Sequence, residues 1–332
     1  MTDPVTLVEV WRGPFLESTH RGHAVICDSS GDIVQAWGNP DRVILPRSSC
    51  KMVQALPLIE SGAAAAAGLT TEQLALSCAS HQGALIHTNR VSAWLSDLGL
   101  GESDLRCGPQ EPDDTEARNG LIRAYEEPCQ LHNNCSGKHA GFLTLAKHLN
   151  AGSEYIEPDH PVQNAVKEAF EEVTGQETPG YGIDGCSAPN YATTVHGLAR
   201  AMSFFASCSA DGASVRERAA AQLVQAMTTY PELVAGEGRA CTEMMRAMDG
   251  KVAIKTGADG VFVAIIPEKK LGVAVKIVDG GTRGSECAIA AILTKLGVLD
   301  PNHPATLKRM NGPMLNRRGI EVGSVRPSAA LL

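Results

Sequence analysis

Apolar positions fall into strand-like runs toward both ends of the chain and into helical spacing between them. Val5 to Trp11 alternates with period two and reads as a strand. His23 to Cys27 and Ile33 to Trp37 are apolar-rich runs joined by Ser29-Ser30-Gly31-Asp32, which reads as a hairpin. From about residue 49 to 250 the spacing is mainly helical. A first helix opens near Ser48 and ends at Ser61-Gly62. Thr71 to Leu76 starts another, capped by Thr70 or Thr71. His87 to Leu98, Gly141 to Leu149, Pro161 to Val173, Ala192 to Ala206 and Ser214 to Thr228 are further helices, and 101–117 is a polar loop. Strand character returns in Val252 to Lys255, Gly260 to Pro267 and Leu271 to Asp279, with Lys269-Lys270 in a turn. Glu286 to Leu296 closes the chain as a terminal helix.

Strands at both ends with helices between them predict one antiparallel sheet built from both termini, carrying a large helical insertion. The expected class is α/β, in the α+β arrangement. Residues 1–46 with 250–332 form the sheet-containing region, and residues 47–249 form the mainly helical one.

Composition narrows the partners. The chain has 332 residues, 43% hydrophobic and 20% charged, which suits a globular protein with a sizeable core. A net charge of -8 argues against nucleic acid as a partner. No apolar run reaches the length of a membrane span. Met1-Thr2-Asp3-Pro4 carries an acid and no basic, apolar leader, so a cytoplasmic location is expected. The ten cysteines are scattered with no Cys-x-x-Cys pair, and buried thiols are expected rather than disulfides.

Six stretches can carry chemistry. Ser48 and Lys51 are three residues apart at a helix start, where they share a face. A neutral lysine could take the serine proton, as in the Ser-x-x-Lys arrangement of penicillin-recognising enzymes. The plainer reading is a serine cap followed by a solvated lysine. The difficulty of the catalytic one is charge: roughly one lysine in 2,500 is neutral at pH 7 unless burial or a second cation lowers its pKa. Lys255-Thr256-Gly257, far downstream on a strand, matches the Lys-Thr-Gly run of the same enzymes and would supply that cation. Ser77 to Gly83, with Ser80 and His81, is a site or a capped helix end. The stretch from His132 to Gly141 has three readings. Cys135 with His132 or His139 could be a nucleophile and base. Cys135, a histidine and Cys186 could hold a metal. It could equally be a polar loop with one buried thiol. Gly180 to Pro189 is a tight turn carrying Asp184 and Cys186. Val278 to Gly284 is a glycine-rich strand end that fits a phosphate loop poorly.

Leu45 to Lys51, Ser77 to His81, Asn133 to His139, Asp184 to Cys186 and Lys255 to Gly257, taken in order, resemble the Rhizobium etli-type (class 3) L-asparaginases over nearly the whole chain. The resemblance implies a fold similar to serine β-lactamases and penicillin-binding proteins. It implies an amidohydrolase that converts L-asparagine to L-aspartate and ammonia. It implies two Ser-Lys pairs, Ser48 with Lys51 and Ser80 with Lys255, in which Ser48 is the nucleophile and Lys51 the base. It also implies a zinc held by Cys135, Lys138 and Cys186 that assists substrate binding, and a homodimer. On that reading Asp184 would meet the substrate's ammonium, and Arg47 or His139 its carboxylate. The alternatives are a glutaminase or another amide or β-lactam hydrolase on the same fold, and a non-catalytic zinc- or ligand-binding relative.

Overall fold

The computed structural model describes residues 3–332. Met1 and Thr2, on which part of the leader reading rests, lie outside the described residues. In chain order the strands are β1 (Val5–Arg12), β2 (Phe15–Cys27), β3 (Ile33–Trp37), β4 (Val43–Ile44), β5 (Tyr181–Ile183), β6 (Pro189–Tyr191), β7 (Thr193–Thr194), β8 (Ala253–Gly257), β9 (Val261–Ile266), β10 (Leu271–Ile277), β11 (Pro313–Leu315) and β12 (Glu321–Pro327). Eight form one sheet in the order β11-β12-β1-β2-β10-β9-β8, with β3 also on β2. Its ladders are antiparallel. Two small ladders, β4 with β7 and β5 with β6, lie among the helices.

The expected sheet from both chain ends with a helical insertion is present. Every residue of β9 is buried, which requires cover on both faces. The helices Val195–Ser207 and Thr282–Lys295 supply it, both packing on β9 and β10. The first of these sits directly on β10 at Gly272, where an added Cβ would lie 2.0 Å from the Ser203 amide nitrogen and 2.3 Å from the Ala199 carbonyl. Only glycine admits that approach.

Three elements depart from the pattern. β2 begins at Phe15, eight residues before its apolar run, because Phe15 to Thr19 pairs with β1 while exposed to solvent. The helix Thr115–Ala124 follows what reads as loop and buries none of its residues, so it leaves no apolar stripe. The helix ending at Lys295 is not terminal: β11 and β12 follow, and β12 pairs with β1. Thr70 is the cap of the helix Thr71–Ser77, in a reciprocal box with Gln73. All ten cysteines are free, eight of them buried. No helix among the described residues is long and apolar enough to cross a membrane.

Candidate active site

The site forms where the turn after β4 meets the edge strand β8. Ser48 does not open a regular helix. It lies in a 3-10 turn, Arg47–Cys50, that runs into the short helix Lys51–Gln54. Arg47 has φ of 55°, a left-handed conformation that costs a side-chain-bearing residue about 1–2 kcal/mol. Its surroundings hold it there. Arg47 donates from Nε (3.0 Å) and Nη2 (2.8 Å) to Asp184 and pairs with Asp259. Its backbone is clasped by Asn190, whose Oδ1 accepts from the Arg47 amide (3.1 Å) and whose Nδ2 donates to the Arg47 carbonyl (3.4 Å). β8 closes on the turn at Gly257, where a Cβ would stand 2.6 Å from the Pro46 carbonyl oxygen.

Two lysines are buried beside this turn, Lys51 at 1% exposure and Lys255 at 0%. Both reach Ser80 Oγ, each at 2.9 Å. Lys51 also meets the Ala79 carbonyl and Cys135 Sγ (3.0 Å), and Lys255 the Thr256 carbonyl (2.9 Å). Ser80 is fixed in extended chain by its own amide, which donates to the Val234 carbonyl at 2.9 Å. Burial first, and the charge of Lys51 second, push Lys255 down to about 7. The lowered amine is thus Lys255, which the sequence reading cast as the second cation. Among the described residues no hydrogen bond joins Ser48 to Lys51. Ser48 instead faces a cleft of about 220 Å³, which Ser80, Asn134, Thr256 and Gly257 also line. A larger cavity of about 620 Å³ opens elsewhere, around Ala66, Trp94 and Lys147, and is lined by neither serine nor either lysine of the pairs.

Cys135, Lys138 and Cys186 come together behind this cluster. The Cys135 thiol donates to Asn134 Oδ1 (2.9 Å), and Lys138 Nζ lies 3.0 Å from Cys186 Sγ. The neighbouring Cys135 thiol and the lysine charge lower Cys186 well below an ordinary thiol, while Cys135 is raised. The thiolate in turn raises Lys138 in spite of its burial. Two sulfurs and an amine form a donor set of the kind that suits zinc, provided the amine gives up its proton to the incoming ion. Among the described residues no group of three His, Cys, Asp or Glu side chains could hold a metal, so a site here depends on the lysine. His139 is fully buried, with Nδ1 2.9 Å from Tyr155 Oη and Nε2 without a hydrogen bond partner on the Cys186 side.

The geometry separates several expected partners. Arg47 and Asp184 are paired with each other through Asp184 Oδ1, and His139 is sealed in the core. His132 Nδ1 accepts from the Cys129 amide and meets its thiol, not Cys135. His81 bonds Ser136 Oγ and the Gly83 amide and stacks on His87. Both histidines therefore serve structure, and the thiol-imidazole reading of Cys135 has no support in the contacts. Arg239 and Glu286, which also line the cleft, carry no motif in the sequence and were not legible there.

Mglu in its tris and glutamate form is similar at 13% identity and a TM-score of 0.49, covering 91% of this chain and 65% of Mglu. A β-lactamase from Mycobacterium bovis is similar at 14% identity and a TM-score of 0.44, covering 84% of this chain and 95% of that one. The chain therefore spans about two thirds of the length of Mglu. No curated protein matches its sequence. Residues 8–327 match the family model for L-asparaginase II, and on that match the chain belongs to the L-asparaginase II family.

Proposed function

We propose that the protein is an L-asparaginase of the Rhizobium etli type, hydrolysing L-asparagine to L-aspartate and ammonia with a pair of serines and a pair of lysines. The observation that carries this reading is the Ser80 hydroxyl bridging two buried amines, one of which has a pKa near 7. Two ammonium groups on one hydroxyl repel each other, so one of them is readily neutral and can serve as a base.

Ser48 Oγ attacks the side-chain amide carbon of asparagine. Lys51 gives up a proton through the Ser80 hydroxyl to neutral Lys255 and, so freed, takes the proton of Ser48. The same chain returns a proton to the leaving nitrogen, ammonia departs, and a β-aspartyl ester remains on Ser48. Water then adds to the ester, aspartate leaves and the Ser48 hydroxyl is restored. The Ser48 amide and an N–H on the facing edge of β8 would receive the oxyanion, where one donor is worth roughly 3–4 kcal/mol in comparable sites. Cys135, Lys138 and Cys186 would hold zinc, and when bound it would supply a Lewis-acid anchor that orients substrate. Cys135 Sγ touches Lys51 as well, so the thiol site and the proton relay share an atom. The expected assembly is a homodimer, and the expected location cytoplasmic.

A second reading makes Ser80 the nucleophile, favoured by its direct contact with Lys255. One experiment tests both. Asparagine is mixed with enzyme, the reaction is acid-quenched and the acylated peptide is located by mass spectrometry. An ester on the peptide holding Ser48 supports the first reading, and one on Ser80 the second. No ammonia from asparagine, with ammonia from glutamine, would make the protein a glutaminase; turnover of a chromogenic cephalosporin alone would make it a β-lactam hydrolase. Binding of metal and asparagine without turnover of any of these would make it a non-catalytic relative.

A further inference from the structure

We infer that Arg239 and Glu286 are the groups that recognise the α-carboxylate and α-ammonium of the amino-acid substrate; this rests on the asparaginase reading above. An α-amino acid brings one positive and one negative group into the cleft. Each needs a counter-charge that is within the cleft and not already satisfied.

The charges at hand divide cleanly. Arg47 and Asp184 form a two-point hydrogen-bonded pair, and Arg47 also holds Asp259. Freeing them would cost that pair and release the left-handed turn that positions Ser48. Arg239 and Glu286 line the same cleft as Ser48 and Ser80. Among the described residues the Arg239 guanidinium makes no hydrogen bond; its one ion pair is a long contact of 3.7 Å with Asp113. The Glu286 carboxylate accepts no hydrogen bond either, and meets Arg309 at 3.5 Å. Arg309 is itself engaged by Glu243 and by the Gly238 carbonyl. Both cleft charges therefore have vacant hydrogen-bonding positions, and both are partly shielded from water, at 35% and 27% exposure.

The fold holds the two in place from independent elements. Arg239 immediately precedes the helix Ala240–Ala247, and Glu286 lies in the second turn of Thr282–Lys295. The second helix is anchored by the glycine-rich stretch that the sequence singled out. Asp279 bonds His20 Nδ1 (2.8 Å) and the Gly281 amide, and a Cβ at Gly284 would stand 2.7 Å from the His20 ring. That stretch is thus a mount for Glu286 rather than a phosphate loop. The cleft volume, below the ~300–1,000 Å³ of drug-sized ligand sites, matches a single small amino acid.

The test uses three amides that share the scissile group: L-asparagine, succinamic acid, which lacks the ammonium, and β-alaninamide, which lacks the carboxylate. Wild type, Glu286→Gln and Arg239→Gln are compared by kcat/KM. Loss of one charge-assisted partner should cost about tenfold to a hundredfold for the substrate that uses it. For Glu286→Gln the preference for asparagine over succinamic acid should fall at least tenfold. For Arg239→Gln the preference for asparagine over β-alaninamide should fall likewise. Parallel losses on all three amides would overturn the inference and leave the asparaginase reading intact. If wild type hydrolyses none of them, that reading fails. The inference is then decided by calorimetric binding of L-aspartate, succinate and β-alanine to the same proteins, where the same charge-selective pattern supports it and any other result overturns it.

Discussion

Removing the charge of Lys51 should raise the pKa of Lys255, by an amount the geometry sets. Both Nζ atoms lie 2.9 Å from Ser80 Oγ, so they stand no more than about 6 Å apart. At an effective dielectric constant of about 20, two unit charges at that distance repel by roughly 3 kcal/mol, or about two pKa units. Burial is the larger cause of the depression and persists when Lys51 is replaced. In Lys51→Met, Lys255 should therefore move from about 7 to between about 8 and 9, short of the ordinary lysine value. The assay is NMR on protein labelled at the lysine ε-carbons, titrated across neutrality. The Lys255 signal is assigned by its disappearance in Lys255→Met. Dispersed methyl signals in Lys51→Met would show that the variant is folded. A wild-type Lys255 that titrates near 10, or one that titrates near 7 with and without Lys51, would refute the idea that the two amines share one hydroxyl and one proton.

Other outcomes follow from the same contacts. Because the folded pKa of Lys255 lies below its unfolded value, the unfolded chain binds the extra proton between the two. Lys255 thus costs stability below about pH 7, and that cost fades as pH rises toward 10.5. Urea unfolding should show wild type gaining about 2 kcal/mol relative to Lys255→Met between about pH 7 and 9. Asp184→Asn should release the left-handed Arg47 turn and lower kcat at least tenfold with modest loss of stability, seen by steady-state kinetics beside a melting curve. Gly272→Val should drive the helix Val195–Ser207 off β10 and cost more than about 3 kcal/mol, measured by denaturant unfolding. If zinc occupies the thiol site, a chelator should raise KM for asparagine more than it lowers kcat, and added zinc should restore it.

Much of the frame was legible because the β8 to β10 segment and the strands of the first hairpin are short, dense apolar runs bounded by turn residues. What escaped has physical reasons. The first third of β2 gains its place from backbone pairing to β1 while its side chains stay exposed, and β12 pairs with β1 through a Gly-, Ser- and Arg-containing run of mixed burial, so no alternation marks either. The helix start at Ser48 reads as regular, yet the Arg47 clasp makes it a 3-10 turn, a long-range effect that local spacing does not encode. The serines and lysines could be named from short motifs. That Ser80 sits between both amines, and that Arg47 is paired with Asp184, depends on contacts spanning more than a hundred residues. Arg239 and Glu286 stand outside every motif, and only the shape of the cleft reveals them.

The placement of β8 at the sheet edge, against a turn made some two hundred residues earlier, has a consequence for biosynthesis. The helical segment can compact while it is still being translated, with Ser48, Lys51 and Ser80 already present. Lys255 arrives on β8, and β12, the strand that completes the sheet beside β1, ends at Pro327. At ~5–20 residues per second, the stretch from that turn to β8 takes a ribosome roughly 10–40 seconds to make. Until it emerges, the nascent chain holds a serine and one amine without the second. The serine and lysine cluster is therefore complete only once β8 has been made, and a product truncated before β8 would hold Ser48, Lys51 and Ser80 without Lys255.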